Sequence, residues 1–230
     1  QPEDGGFFID KTEVTLDAYK KCVTAGRCVA ARRVVLTEDS AQALGVEGVD
    51  DTTTPEQLAS AWQPRCNELR GAGNHPVNCV NHATASDYCR FVEKRLPTSE
   101  DFTFAAAGSG RKFPWGDAQP ECSTACYGLN SSCVSSAKEI ATCPAGSRTG
   151  DLTPEGIVDL GGNVAEWVAD QGKGAAGGPW RVLRGGSFID EAERLKSTTS
   201  RSLPAVTAHV TIGFRCAVDP PEGWLPPGPK

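Results

Sequence analysis

The stretch Asp159-Leu160-Gly161-Gly162-Asn163-Val164-Ala165-Glu166-Trp167 sets two carboxylates and a tryptophan around a pair of glycines. A second pair follows in Arg184-Gly185-Gly186-Ser187-Phe188. Such pairs permit backbone turns that other side chains would strain. Trp167, with Trp115 in Phe113-Pro114-Trp115-Gly116-Asp117, offers the large apolar area that a helix-poor core needs. Beyond Gly110, aromatic, Gly and Pro residues alternate with short β-like runs at Trp180 to Leu183 and Val210 to Cys216.

Upstream the pattern is helical. Leu16, Tyr19 and Val23 stand at helical spacing between Thr15, a suitable N-cap, and Gly26, a stop. From Asn81, the residues Ala85, Tyr88, Cys89 and Val92 predict a second helix ending near Lys94-Arg95, and Pro97 closes it. Thr98 then precedes the acidic turn Ser99-Glu100-Asp101, which suits the positive end of a helix dipole, and Gly108 stops that helix. Residues 30–75 lack sustained periodicity and are expected to form a long, partly helical surface insertion. The expected architecture is one domain, residues 1–230, of the α+β class, with front-loaded helices on a small, twisted, irregular sheet.

The chain of 230 residues carries net charge −6 with its Lys and Arg scattered, so no basic stripe for phosphates exists and nucleic acid is not an expected partner. No apolar stretch approaches the ~20 residues of a membrane-spanning helix. Ten cysteines would be unusual in a reducing cytosol, so the expected location is periplasm, cell surface or medium. A chain that begins at Gln1 and has no Met fits removal of an export signal. No two cysteines stand at CxxC spacing, which argues against structural zinc. Cys22 and Cys28 lie at the end of the first helix, where a bridge closes a small loop.

Ile9-Asp10-Lys11-Thr12-Glu13-Val14-Thr15, His75-Pro76-Val77 leading to Tyr88-Cys89, Lys94-Arg95-Leu96-Pro97-Thr98, Phe113 to Asp117, Gly162 to Trp167, Arg184 to Phe188 and Gly213-Phe214-Arg215-Cys216 follow one another along the chain. In that order they resemble the formylglycine-generating-enzyme (sulfatase-modifying factor) family from end to end. The resemblance implies the formylglycine-generating-enzyme fold, a C-type-lectin-like variant with little regular secondary structure, and a bacterial exported protein. It implies a bridge between Cys89 and Cys216 and, with the even cysteine count, one between Cys66 and Cys79. Cys122, Cys126, Cys133 and Cys143 allow three pairings, among which the sequence does not choose.

Enzymes of this family oxidise a cysteine of a sulfatase, using two copper-binding cysteines after the Gly-Gly-Ser motif. Asp190 and Leu195 stand at those positions here, and Ala165 replaces a Trp of the same motif set. Copper(I) requires soft thiolates, so neither copper nor formylglycine-generating catalysis is expected, and no catalytic residue is assigned.

The family's calcium loop maps onto Asp159 and Glu166 through carboxylates and onto Gly162 and Val164 through main-chain oxygens, implying structural calcium. The competing reading is a tight turn in which Glu166 pairs with an Arg or caps an amide. Around the lost active centre stand Ser187, Asp190, Arg194 and Arg201, with Glu191 and Glu193, either a polar groove for a ligand or an ordinary solvated loop. The function expected is a non-catalytic module binding a peptide, glycan or protein. The alternative is an enzyme of the superfamily whose chemistry no motif reveals.

Overall fold

A computed structural model describes residues 6–46, 52–128, 141–175 and 178–224. Helices lead and strands follow. Strand β1 (Phe8–Ile9) precedes α1 (Leu16–Thr24), α2 (Glu38–Leu44), α3 (Pro55–Trp62), α4 (Asn67–Arg70), α5 (His82–Phe91) and α6 (Ser99–Ala107). Then come β2 (Ala165–Gln171), β3 (Trp180–Arg184), β4 (Ser200–Pro204), β5 (Ile212–Gly213) and β6 (Ala217–Val218). No helix among the described residues is long and apolar enough to cross a membrane.

The helix starts follow their caps. Thr15 accepts a hydrogen bond from the amide of Ala18, while Asn81 with Thr84 and Thr98 with Asp101 form reciprocal capping boxes. Thr37 with Ser40 and Thr54 with Gln57 do the same for α2 and α3, within the segment that lacks apolar periodicity. That segment is only partly superficial, contrary to the surface insertion expected over 30–75. Val34, Leu36, Ala41, Leu44, Val46 and Cys66 enter the main core, whereas α3 buries no residue fully.

The main sheet runs β4-β3-β2-β5, and β1 pairs with β6 in a separate two-stranded ribbon. β2 is antiparallel to β3, with Trp167 opposite Leu183, and parallel to β5, with Glu166 opposite Gly213. This last register carries Phe214, Arg215 and Cys216 away from the sheet directly beside Glu166. The core gathers on the helical side, where Phe214 meets Tyr88 edge-on at 5.6 Å and Tyr88 stacks on Tyr19 at 5.6 Å. Trp167 is fully enclosed, and its indole nitrogen donates to Val80 O at 3.1 Å.

Disulfides close Cys22 to Cys28, Cys66 to Cys79, Cys89 to Cys216 and Cys126 to Cys143. Cys122 is also disulfide-bonded. Cys133 lies outside the described residues. The Cys89–Cys216 bridge spans 127 residues and ties α5 to the residue that precedes β6.

Candidate functional site

The loop from Asp159 to Glu166 is shaped by backbone geometry. Asp159 and Asn163 both adopt left-handed conformations, with φ of 59° and 66°, which short polar side chains tolerate. At Gly162 a Cβ atom would lie 2.6 Å from the carbonyl oxygen of Cys126, so only glycine lets the two backbones meet. Asn163 completes the contact: its amide donates to Cys126 O, and its side-chain oxygen accepts from the amide of Cys143.

The carboxylates of this loop face protein partners. Glu166 accepts from Arg215 Nε at 3.0 and 2.8 Å and from Nη2 at 2.7 Å. Arg215 also donates to the carbonyls of Val158, Asp159, Asp10 and Lys11. Asp159 accepts from the amide of Gly146. Burial disfavours the Arg215 charge, but the Glu166 carboxylate beside it raises its pKa above the ordinary value. Burial pushes the Glu166 pKa up while Arg215 pulls it down, and the net direction is upward.

Glu13 belongs to the same cluster. It is buried with no hydrogen-bond donor on either oxygen. Burial, followed by the neighbouring Asp159 charge, holds its carboxyl well above the usual range. Asp151 accepts from the amides of Gly161 and Gly162, yet burial and the Asp159 charge push its pKa up to about 7. Among the described residues, no three His, Cys, Asp or Glu side chains gather so as to hold a metal ion. The quartet Asp159, Gly162, Val164 and Glu166, as placed, does not fit the implied calcium shell, because a guanidinium already fills the cation's electrostatic role at Glu166.

The turn after Gly185-Gly186 is a second closed network. Asp190 accepts from the amide of Ser187 at 2.8 Å, from Ser187 Oγ at 2.6 Å, and from Arg201 Nη1 and Nη2 at 3.1 and 2.9 Å. The Asp190 and Arg201 side chains are only 9% and 7% exposed. Three of the four residues expected to meet a ligand are thus brought together and bond to one another, although the buried Arg201 Nε has no hydrogen-bond partner. Leu195 is fully buried against Phe113 and Ala125.

The fourth, Arg194, lines an open cavity of about 520 Å³ whose wall also includes Asp190 and Arg201, with Leu44, Val46, Trp62, Ile189 and Glu191. Trp62 was not anticipated. It comes from the end of α3, sits edge-on to His209 at 5.2 Å and carries the Arg65 guanidinium 5.0 Å from its ring centre. The only local signal for its placement was the cap that starts α3. His209 is enclosed, and burial, then the Arg201 charge, lowers its pKa to about 3.

A family described as "Sulfatase-modifying factor enzyme 1-like domain" matches residues 3–220. Among curated proteins, the chain is 36% identical over 163 residues to "Inactive C-alpha-formylglycine-generating enzyme 2" of Bos taurus, covering 62% of this chain and 50% of that protein. It is 30% identical over 175 residues to "Formylglycine-generating enzyme" of Streptomyces coelicolor, covering 66% of this chain and 55% of that one. The chain therefore spans about half the length of these relatives. Among solved structures, CarF aligns with a TM-score of 0.65 at 19% identity over 94% of this chain and 96% of its own. PvdO from Pseudomonas aeruginosa aligns with a TM-score of 0.61 at 17% identity over 94% and 85%. At these identities the likeness concerns the fold alone.

Proposed function

Given that this chain belongs to the sulfatase-modifying-factor family, we propose that it is a non-catalytic member, an exported domain that binds a peptide segment of a protein partner. The observation that carries this reading is the state of Asp190. At the position where family enzymes hold a copper-binding thiolate, it is a carboxylate with both oxygens engaged by Ser187 and Arg201. Its partner position, Leu195, offers only a buried isobutyl group. Neither supplies the soft thiolate that copper(I) requires.

This turn forms part of the cavity wall, where apolar Leu44, Val46, Trp62 and Ile189 stand next to the charged Asp190, Glu191, Glu193, Arg194 and Arg201. A peptide presenting both apolar and charged side chains matches that mixture better than a uniformly polar ligand does. The disulfide content supports an oxidising location outside the cytoplasm. In this reading calcium is not the loop's cation: Arg215 supplies the positive charge that Glu166 requires.

The test has two parts. A sulfatase-motif peptide incubated with the protein, copper and oxygen is expected to show no cysteine-to-formylglycine conversion by mass spectrometry; protein-dependent conversion overturns the reading. A peptide array is expected to yield ligands whose binding is lost in Trp62→Ala and Arg194→Glu, while Glu56→Gln on the exposed start of α3 leaves it intact.

A further inference from the structure

A second cavity, about 270 Å³, is lined by Cys122, Cys126, Tyr127, Cys143, Arg148 and Phe188. Both cysteines of the Cys126–Cys143 disulfide thus border this cavity. Cys66, Cys89 and Cys216 are fully enclosed and Cys79 nearly so, and the Cys22–Cys28 bridge has one enclosed end, Cys22, and one partly exposed end, Cys28. The two sulfurs also differ electrostatically. Arg148 Nε donates to Cys143 Sγ at 3.4 Å, and no described hydrogen bond reaches Cys126 Sγ.

We propose that Cys126–Cys143 is a thiol-exchange site that takes a low-molecular-weight thiol and forms a mixed disulfide at Cys126. The thiolate of the incoming molecule attacks Cys126 Sγ. One sulfur–sulfur bond forms there as the Cys126–Cys143 bond breaks, and the electron pair leaves on Cys143. A leaving thiolate departs faster when its charge is stabilised, and the Arg148 guanidinium is already hydrogen-bonded to that sulfur. No net oxidation occurs, because the thiol's bond to Cys126 replaces the bond to Cys143.

Access alone favours the opposite outcome. Cys126 is only 7% exposed and Cys143 is less buried, so a reaction governed by exposure would attach the thiol to Cys143. The position of the adduct therefore separates charge control from access control. Opening the bridge also has a structural reach, since Cys126 O and the Cys143 amide are two of the three partners that hold Asn163, the third being the Phe188 amide. Exchange at the sulfurs would loosen Asn163 within the loop that ends at Glu166, while Asp151 and Arg215 still hold the rest of it.

The experiment treats the intact protein with reduced glutathione, traps free thiols with iodoacetamide and maps the peptides. The expected product carries glutathione on Cys126 and the alkyl group on Cys143. It should form at least about tenfold faster than the Cys66–Cys79 bridge opens. Arg148→Gln should slow it by about tenfold, and Arg148→Lys should restore most of the rate. Glutathione found on Cys143, or simultaneous opening of all bridges, overturns the proposal; both are read on the unmodified chain, so a misfolded variant does not obscure the answer. An unchanged rate in a folded Arg148→Gln protein also overturns it.

Discussion

Arg215 Nε donates to both oxygens of Glu166, and Nη2 adds a third hydrogen bond at 2.7 Å, with neither residue more than 1% exposed. A buried charge pair of this kind does little net work relative to an apolar pair, but losing one partner strands the other charge. Glu166→Gln keeps the shape and removes the counter-ion. It is expected to lower unfolding free energy by about 3–5 kcal/mol in chemical denaturation at neutral pH. A loss below about 1 kcal/mol would show that Arg215 is neutralised elsewhere.

The same pairing makes a statement about calcium. With the guanidinium bound at Glu166, added calcium or chelator is expected to leave the melting temperature unchanged, since an ion raises it only by binding the folded state more tightly than the unfolded one. A calcium-dependent rise that disappears in Glu166→Gln would return this loop to the ion.

Asp190 and Arg201 should behave as a unit. Asp190→Ala and Arg201→Ala each leave a nearly buried charge or donor without its partner. The double variant should therefore cost less than the sum of the singles, with a coupling of about 1–3 kcal/mol in a double-mutant cycle. Additive costs would mean that the two side chains act independently.

Two buried groups should tilt stability with pH in opposite directions. Asp151 has a folded pKa of about 7 against an ordinary 3.8, so its contribution is fully present below about pH 4 and is lost as pH rises through 7. His209 has a folded pKa of about 3 against 6.5, so its contribution is present above pH 6.5 and is lost as pH falls towards 3. Thermal melts between pH 3 and 8 should show Asp151→Asn removing the decline towards neutrality and His209→Asn removing part of the decline into acid. Unchanged profiles would place both titrations elsewhere.

Cys89 and Cys216, closing a loop of 127 residues, should dominate the disulfide contribution. Replacing both by Ala is expected to cost about 4–5 kcal/mol by the chain-entropy argument. Removing Cys22–Cys28, with a separation of 6, should cost appreciably less. Equal losses measured by denaturation would contradict the loop-length account.

By itself the sequence determined the features whose causes lie within a few residues. Thr15, Asn81 and Thr98 cap helices because each side chain reaches an amide three residues ahead, and the spacing of Leu16, Tyr19 and the partly buried Val23 sets the inward face. The absence of thiolates at Asp190 and Leu195 is likewise a fact of residue identity. The capping boxes at Thr37 and Thr54 were also written locally, although the apolar pattern around them is too irregular to announce the helices. Only the tertiary structure decided which cation meets Glu166, because Arg215 reaches it through the parallel register of β2 and β5 across 49 residues. It also decided that Asp190 is locked by Arg201 and that Trp62 stands over His209 beside the cavity. Charge and aromatic partners are chosen by which segments the fold brings within a few ångströms, and many residues of the right type compete for each place. A local pattern carries no term that ranks those competitors.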